Sequence, residues 1–300
     1  MADIQRYRPR RSSTPGGAWR RWLGVLIGLG VLFWIGSLVF GGKPSSSQND
    51  NQLTNDSDIS LTTDNRNTNT VTSNANTATT ANTNTAAQAA PGTWENFSLT
   101  SCPKAISEYG TKKEVALTFD IAAANDQAKE VLRLLQEHRT PADFFVTGAM
   151  VAKDTNFIKS ISDAGFAVYN HGQENKDLTV MTNTDIAAQI SKGEAAIMAV
   201  TGITPKPMFR PAFGNSNTQT VKLARQAGYC TVLWTVDAFD WKSDVTAEQA
   251  KQRVLDKLRP GAIILLHAGY DITPTFLNDL VSAISGQGYT LVSLAQLMNG

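Results

Sequence analysis

Five predicted strands each end beside a side chain that can carry charge or transfer a proton. These side chains are Asp120, His171, Arg210, the pair Asp237 and Asp240, and His267. In parallel α/β folds the carboxyl ends of the strands meet at one rim, where reactive groups are placed. Carboxylates and imidazoles gathered there can transfer protons or bind metal ions. An aspartate after a single strand is more often a helix cap or turn residue, so the inference depends on all five strands converging.

The chain beyond about residue 94 alternates short apolar runs with stretches of helical period. The runs that we predict as strands are residues 115–120, 143–148, 166–170, 207–210, 230–237, 262–269 and 289–293. Strands separated by helices imply βαβ units and a parallel sheet. We therefore predict an α/β fold, namely a (β/α) barrel of about seven parallel strands that is irregular or incomplete.

Glycines and polar caps mark the ends of the predicted helices. The glycines expected to follow a last helical turn are Gly165, Gly202 and Gly228. Thr246 and Gln249 have the spacing of a capping box at a helix start. Thr273 is predicted to cap another helix, with Pro274 as its first residue.

Short strings around the strand-end residues form a recognisable series. They are TFD (118–120), NHG (170–172), FRPAFG (209–214), DAFDW (237–241) and ILLH (264–267). Their order and spacing resemble those of the NodB-homology polysaccharide deacetylases, also called carbohydrate esterase family four, over roughly residues 112–300. PADFFVTG (141–148) fits the same series after the first helix. The resemblance is closest to the sporulation-associated subgroup, in which the first string reads TFDI and the last reads ILLHA.

The resemblance implies metal-assisted removal of an acetyl group from an N-acetylated sugar. It assigns catalytic roles to Asp120, His267, Arg210 and Asp240. Asp120 would take a proton from the attacking water, and His267 would protonate the leaving amine. Arg210 would keep Asp120 ionised through a charge-assisted hydrogen bond, while Asp240 would orient His267.

The resemblance also implies a substrate-binding set and a reduced metal site. The substrate-binding residues would be Trp241, Phe213 and Asp237, with Trp241 as an apolar wall and the backbone N–H of Phe213 as an oxyanion donor. A typical member has a second Asp where this chain has Ile121, and a second His where it has Asn175. His171 is therefore the one metal ligand retained at its family position, whereas a catalytic zinc takes about three protein ligands.

Three interpretations of this departure remain open. In the first, a divalent metal of the zinc or cobalt class binds a rebuilt site, in which His171 is joined by replacements such as Asp120, Glu174, Asn175 or Asp126. In the second, the domain is a pseudoenzyme that binds glycan without hydrolysing it. In the third, it is a scaffold for partner proteins. The sequence contains no G-x-S-x-G elbow and no glycine-rich phosphate loop, so we expect no nucleotide or organic cofactor.

The amino-terminal third differs in composition from the rest. Residues 22–42 form an uncharged apolar run after an arginine-rich tail at 1–21, which predicts a single membrane span with a cytoplasmic amino terminus. A cleaved signal peptide is the rival interpretation, and the length of the run disfavours it. Residues 43–92, rich in Asn, Thr and Ser, are predicted to be a disordered linker to an extracellular domain at 93–300.

Charge and cysteine content restrict the partners. With 27 Lys and Arg against 26 Asp and Glu, the chain has no basic excess that would indicate nucleic-acid binding. We expect the partners to be an acetylated polysaccharide and, through residues 22–42, the membrane, with a monomeric exported domain. Cys102 and Cys230 either form a disulfide or remain two buried thiols, and the sequence leaves both alternatives open.

Overall fold

A computed structural model describes residue 94 and residues 97–299. The predicted tail at 1–21, the apolar run at 22–42 and the linker at 43–92 lie outside the described residues. Within the described part of the chain, no helix is both long enough and apolar enough to cross a membrane.

The described residues form one parallel sheet of eight strands. The strands are β1 (Glu114–Ile121), β2 (Asp143–Val146), β3 (Ala167–Asn170), β4 (Met208–Phe209), β5 (Cys230–Thr231), β6 (Val236–Asp237), β7 (Ile263–Ala268) and β8 (Thr290–Leu291). Seven of them follow the order β5-β4-β3-β2-β1-β7-β6, and β8 pairs with the beginning of β1. The prediction of parallel strands in an incomplete barrel is confirmed.

Helices connect most of the strands. They are α1 (Asp126–Glu137), α2 (Gly148–Lys153), α3 (Thr155–Asp163), α4 (Asn183–Thr201), α5 (Thr218–Gln226), α6 (Ala247–Leu255), α7 (Thr273–Gly286) and α8 (Leu294–Asn299). Asn125 caps α1 through a hydrogen bond from the N–H of Ala128, and five apolar side chains of this helix are buried. Amphipathic helices of this kind cover one face of the sheet.

The predicted strand at 230–237 is wrong as a single element. It divides into β5 and β6, which lie at opposite edges of the sheet. Residues 232–235 join these edges. Ile106 of the amino-terminal arm lies beside the start of this segment and forms a bridge with Val232. The N–H of Ile106 donates to the carbonyl of Thr231, while the carbonyl of Ile106 accepts from the N–H of Leu233. The two strands divide because the chain must cross from the β4 edge to the β7 edge.

Alternation along β1 determines which side chains reach the interior of the barrel. Leu117, Phe119 and Ile121 belong to the apolar cluster between sheet and helices. Ala116 belongs instead to the inner cluster, which also contains residues of α8 and of the amino-terminal arm. Because successive side chains of a strand point to opposite faces, Asp120 faces the interior and Ile121 faces the helices.

The helix ends confirm most of the predicted caps. Gly165, Gly202 and Gly228 all have positive φ, the conformation that favours glycine after a last turn. Thr246 and Gln249 form the predicted capping box of α6. The cap predicted at Thr273 is wrong, because Ile272 is the cap residue of α7 and Thr273 lies inside the first turn.

Cys102 and Cys230 form a disulfide, with their Cα atoms 5.7 Å apart. Of the two alternatives for the cysteines, the disulfide is therefore the one present. The bond joins the amino-terminal arm to β5, next to the seam between β5 and β6. Both cysteines are buried in the inner cluster.

Removing the disulfide should destabilise the domain without abolishing its fold. For the double variant Cys102→Ala/Cys230→Ala we expect the free energy of unfolding to fall by about 2–5 kcal/mol, because the bridge closes a long loop in the unfolded chain. Denaturant titration of both proteins, with and without dithiothreitol, measures the change. Reductant should lower the stability of the wild type and leave the double variant unaffected. A difference below about 1 kcal/mol would contradict a stabilising role for the bridge.

Candidate active site

Asp120 lies near the carboxyl end of β1, which pairs with β2 on one side and with β7 on the other. The Cα partner of Asp120 on β7 is His267, and its partner on β2 is Phe145. Directly paired residues on neighbouring strands extend to the same face of a sheet. Asp120 and His267 are 147 positions apart in the sequence and are brought together by the pairing of β1 with β7.

Arg210 follows β4 and is completely buried inside the barrel. Its Nη1 donates to Oδ1 of Asp120 at 2.8 Å, and its Nη2 donates to Oγ1 of Thr118 at 2.9 Å. Further hydrogen bonds reach the carbonyls of Val232 and Leu233, which belong to the segment joining β5 to β6. The guanidinium is thus held by two separate parts of the chain, β1 and the segment between β5 and β6, and its position is fixed by the fold.

The environment of Asp120 favours its ionised form. Burial alone would raise the pKa of this carboxyl, but the Arg210 guanidinium, then His171 and His267, together outweigh that effect. The net result is a pKa below the ordinary value of 3.8. At neutral pH, Asp120 is therefore a carboxylate despite its burial.

His171 follows β3 and presents one ring nitrogen to Asp120. Its Nδ1 lies 2.7 Å from the carbonyl oxygen of Arg210. Because a carbonyl only accepts hydrogen bonds, Nδ1 carries the proton of this hydrogen bond, and Nε2 is left for other groups. That Nε2 lies 3.6 Å from Oδ2 of Asp120. Nε2 of His171 and Oδ2 of Asp120 therefore face each other across one small space.

Asp240, His267 and Thr273 form a second polar group at the same rim. Oδ1 of Asp240 lies 2.9 Å from Nδ1 of His267. Oδ2 of Asp240 accepts from the backbone N–H of His267 and from Oγ1 of Thr273, both at 2.8 Å. The hydrogen bond at Nδ1 leaves Nε2 of His267 available to other groups.

The environment of His267 favours its protonated form. Burial by itself would lower the pKa of this imidazole, but the hydrogen bond to Asp240 and the negative charges of Asp240, Asp120 and Asp237 outweigh it. The net pKa lies above the ordinary value of 6.5. Asp237 contributes as a neighbour, and its own pKa is raised, chiefly by burial.

Two of the three predicted substrate-binding residues, Trp241 and Phe213, have exposed side chains. Trp241 is partly exposed and its ring packs edge-on against Phe239. Phe213 has a positive φ of 60° and an exposed side chain. Its backbone N–H makes no hydrogen bond to any described residue, so the amide can donate to a ligand. Asp237 accepts from the N–H of Phe239.

The residues present do not fit a catalytic metal ion. Asp120 and His171 could supply two donors, since ligands bound tetrahedrally at about 2.0 Å stand about 3.3 Å apart. The proposed third donors are engaged elsewhere: Glu174 contacts Lys176, and Asp126 is almost fully exposed beside Lys129.

The two positions at which the family resemblance implies ligands do not complete the donor set. Ile121 belongs to the apolar cluster on the opposite face of β1, and Asn175 is exposed. Between residue 94 and residue 299, no group of three or more His, Cys, Asp or Glu side chains in the described segments is arranged to hold a metal ion.

Two polar members of this site were missed in the sequence. Thr118 lies two residues before Asp120, so strand alternation could have identified it as facing the same interior. Thr273 was interpreted as a helix cap, and no local pattern indicates that its hydroxyl bonds to Asp240, 33 residues earlier.

Comparisons with known proteins agree with this arrangement. A family model described as polysaccharide deacetylase matches residues 107–232. The peptidoglycan-N-acetylmuramic acid deacetylase PdaA of Bacillus subtilis is 32% identical over 189 residues, covering 62% of this chain and 72% of PdaA. The peptidoglycan-N-acetylglucosamine deacetylase PgdA of Listeria monocytogenes is 32% identical over 187 residues, 62% of this chain but only 39% of that protein.

A solved structure similar to this chain is that of BA3943 from Bacillus anthracis, described as a CE4 family pseudoenzyme. It has a TM-score of 0.62 and 31% identity, covering 65% of this chain and 69% of that one. A mutant of BA3943 described as having restored enzymatic activity is similar to the same degree, with a TM-score of 0.62 and 32% identity over 65% of this chain and 71% of that one.

The pairing of Arg210 with Asp120 can be tested by a thermodynamic cycle. Arg210→Met should lower the free energy of unfolding at pH 7 by about 3–5 kcal/mol, because it leaves a buried carboxylate without its cation. The double variant Arg210→Met/Asp120→Asn should lose less, since no buried charge remains. Denaturant titration of the four proteins gives the coupling energy. A loss in the double variant equal to the sum of the losses in Arg210→Met and Asp120→Asn would show that the ion pair contributes nothing.

The same cycle predicts a dependence on pH. The pKa of Asp120 is lowered by folding, so its stabilising contribution is present above the ordinary value of 3.8 and is lost as pH falls through the folded value. Asp120→Asn should remove that part of the acid destabilisation.

Proposed function

The chain belongs to the polysaccharide deacetylase family, and from this membership we propose that it removes acetyl groups from an N-acetylated cell-wall glycan. The observation that supports this most directly is the pairing of β1 with β7, which puts a carboxylate and a protonated imidazole side by side. Hydrolysis of an amide needs both a base for the water and an acid for the leaving nitrogen.

Asp120 and His171 are suited to hold the attacking water. Oδ1 of Asp120 is occupied by Arg210, while Oδ2 accepts no hydrogen bond from any described residue. A water molecule that donates to this Oδ2 and to Nε2 of His171 keeps its oxygen lone pairs free for the acetamide carbon. Asp120 then takes one water proton as the new C–O bond forms.

His267 and Phe213 are suited to the second half of the reaction. The free N–H of Phe213 can donate to the oxygen that becomes negative when the carbonyl is attacked. Nε2 of protonated His267 can give its proton to the sugar nitrogen as the C–N bond breaks. The products are acetate and a free amino sugar. In metal-dependent family members, a bound ion would also polarise the carbonyl, but the donor set of this chain does not fit one.

The proposed substrate is peptidoglycan or a related polymer of N-acetylglucosamine. The names of the relatives PdaA and PgdA support this class of glycan. The sequence supports a location outside the cell membrane, because the apolar run at 22–42 follows an arginine-rich tail and precedes the glycan-facing domain. We propose that the domain is exported and remains anchored by this run.

A second candidate function is glycan binding without hydrolysis. It is favoured by the loss of the ligands at Ile121 and Asn175, and by the similarity to a protein described as a pseudoenzyme. In that case the same rim would bind the acetylated sugar, and the acid and base residues would serve as hydrogen-bonding groups.

Acetate release from N-acetylated glycan strands separates the two candidates. We expect the full-length chain to release acetate, and Asp120→Asn to lower kcat by about 100-fold or more because it removes the base. Asp126→Asn is a matched control outside the site, because this carboxylate is almost fully exposed. Binding of the glycan without acetate release, in the wild type, would favour the second candidate.

The pH profile of the same reaction provides an independent control. Release needs ionised Asp120, whose pKa lies below 3.8, and protonated His267, whose pKa lies above 6.5. Release should therefore hold across that interval and decline as pH rises through the raised pKa of His267. Asp240→Asn should move the alkaline decline to lower pH, since it removes the charge that sustains the protonated imidazole.

Restoring one family ligand tests the interpretation of the metal site. Asn175→His would add a third donor to Asp120 and His171, which reaches the ligand number of catalytic zinc sites. We expect the variant to retain about one zinc ion per chain after dialysis and the wild type to retain substantially less, as measured by elemental analysis. Lys176→His, one residue further along the same exposed segment, is the control. Equal zinc content in all three proteins would contradict the assignment of position 175.

A further inference from the structure

The hydroxyl of Thr273 is used by the active site and not by the helix that contains it. Thr273 is fully buried in the first turn of α7, whose cap residue Ile272 makes no side-chain capping bond. Its Oγ1 donates to Oδ2 of Asp240 at 2.8 Å. Because Thr273 follows the cap residue, its hydroxyl is not a capping group, and it bonds to a side chain of another segment instead.

Asp240 needs an anchor because it lies on an irregular loop. It follows β6 by three residues, and the preceding residue, Phe239, has a φ of 60° without being glycine. Such backbone conformations persist only where surrounding contacts hold them. The contacts of the Asp240 carboxylate are two hydrogen bonds from His267 and one from Thr273.

Thr273 is the member of this group that is independent of His267. The two hydrogen bonds from His267 join it to the Asp240 carboxylate, which lies on a separate loop. They can fix the imidazole only if another contact holds that carboxylate in place. The bond from Thr273 connects that carboxylate to α7. Asp240 is 2% exposed and Thr273 is not exposed at all, so water cannot readily replace the missing donor.

We propose that Thr273 is a positioning residue of the active site, which fixes the Asp240 carboxylate and thereby aims Nε2 of His267 at the leaving nitrogen. This inference rests on the proposed deacetylase function. It predicts that the hydroxyl matters and the methyl group does not, since the hydroxyl makes the hydrogen bond to Asp240.

Two substitutions separate positioning from packing. Thr273→Val keeps the shape of the buried side chain and removes its donor, whereas Thr273→Ser keeps the donor and removes a methyl group. In the full-length chain we expect Thr273→Val to lower kcat for acetate release by about tenfold, with KM within about twofold of the wild type. Thr273→Ser should keep kcat within about threefold.

Thr275→Val, in the same turn of α7, is the matched control, because the hydroxyl of Thr275 bonds only to the carbonyl of Ile272. It should leave both constants unchanged. Loss of activity in Thr273→Ser with retention in Thr273→Val would assign Thr273 to packing and overturn the proposal. Unchanged kcat in both variants would overturn it as well.

A second measurement does not depend on activity. The chain has three histidines, and both His171 and His267 place an Nδ1 proton in a hydrogen bond. In the full-length chain labelled with 15N-histidine, Thr273→Val should weaken or remove the Nδ1–H signal of His267 and leave that of His171, while Thr273→Ser should retain both. If the wild type releases no acetate, the proposed function fails, whereas an intact His267 signal in Thr273→Val contradicts the positioning role itself.

Discussion

The buried guanidinium of Arg210 connects β1 to the segment between β5 and β6, and it also provides the positive charge beside Asp120. Its side chain bonds to the carboxylate of Asp120 and to carbonyls of the segment between β5 and β6, and its own carbonyl accepts from His171. A buried cation without partners would be prohibitively costly. The fold must therefore supply those partners, and in doing so it fixes the carboxylate and the imidazole in relation to each other.

A second consequence is that groups of opposite charge favour each other's charged forms within one small volume. Asp120 is kept ionised by its cationic neighbours, and His267 is kept protonated by its carboxylate neighbours, so each favours the charged form of the other. This mutual stabilisation depends on low exposure, because water would screen charges at such distances. Apolar side chains of α8 and of the disulfide-linked arm pack in the inner apolar cluster and exclude water from the interior of the barrel.

Much of this arrangement could be predicted from sequence, because it depends on strand ends and on order along the chain. The parallel strands, the glycines after helices and the set of rim residues all follow from local patterns. The division of residues 230–237 could not be predicted, since a continuous apolar run contains no signal that its two ends pair with opposite edges of a sheet. The bond from Thr273 to Asp240 was missed for a similar reason: local propensity indicates a cap, and only tertiary contact redirects the hydroxyl.

The group formed by Asp240, His267 and Thr273 is preserved better in this chain than the metal-ligand positions are. The acid–base group is complete, with both carboxylate oxygens of Asp240 hydrogen-bonded. The metal position is reduced both in chemistry and in direction, because Ile121 continues the regular pairing of β1 with β7 and so faces the helices. Proton transfer and oxyanion binding by amide groups therefore remain the contributions that this rim can make to the proposed hydrolysis.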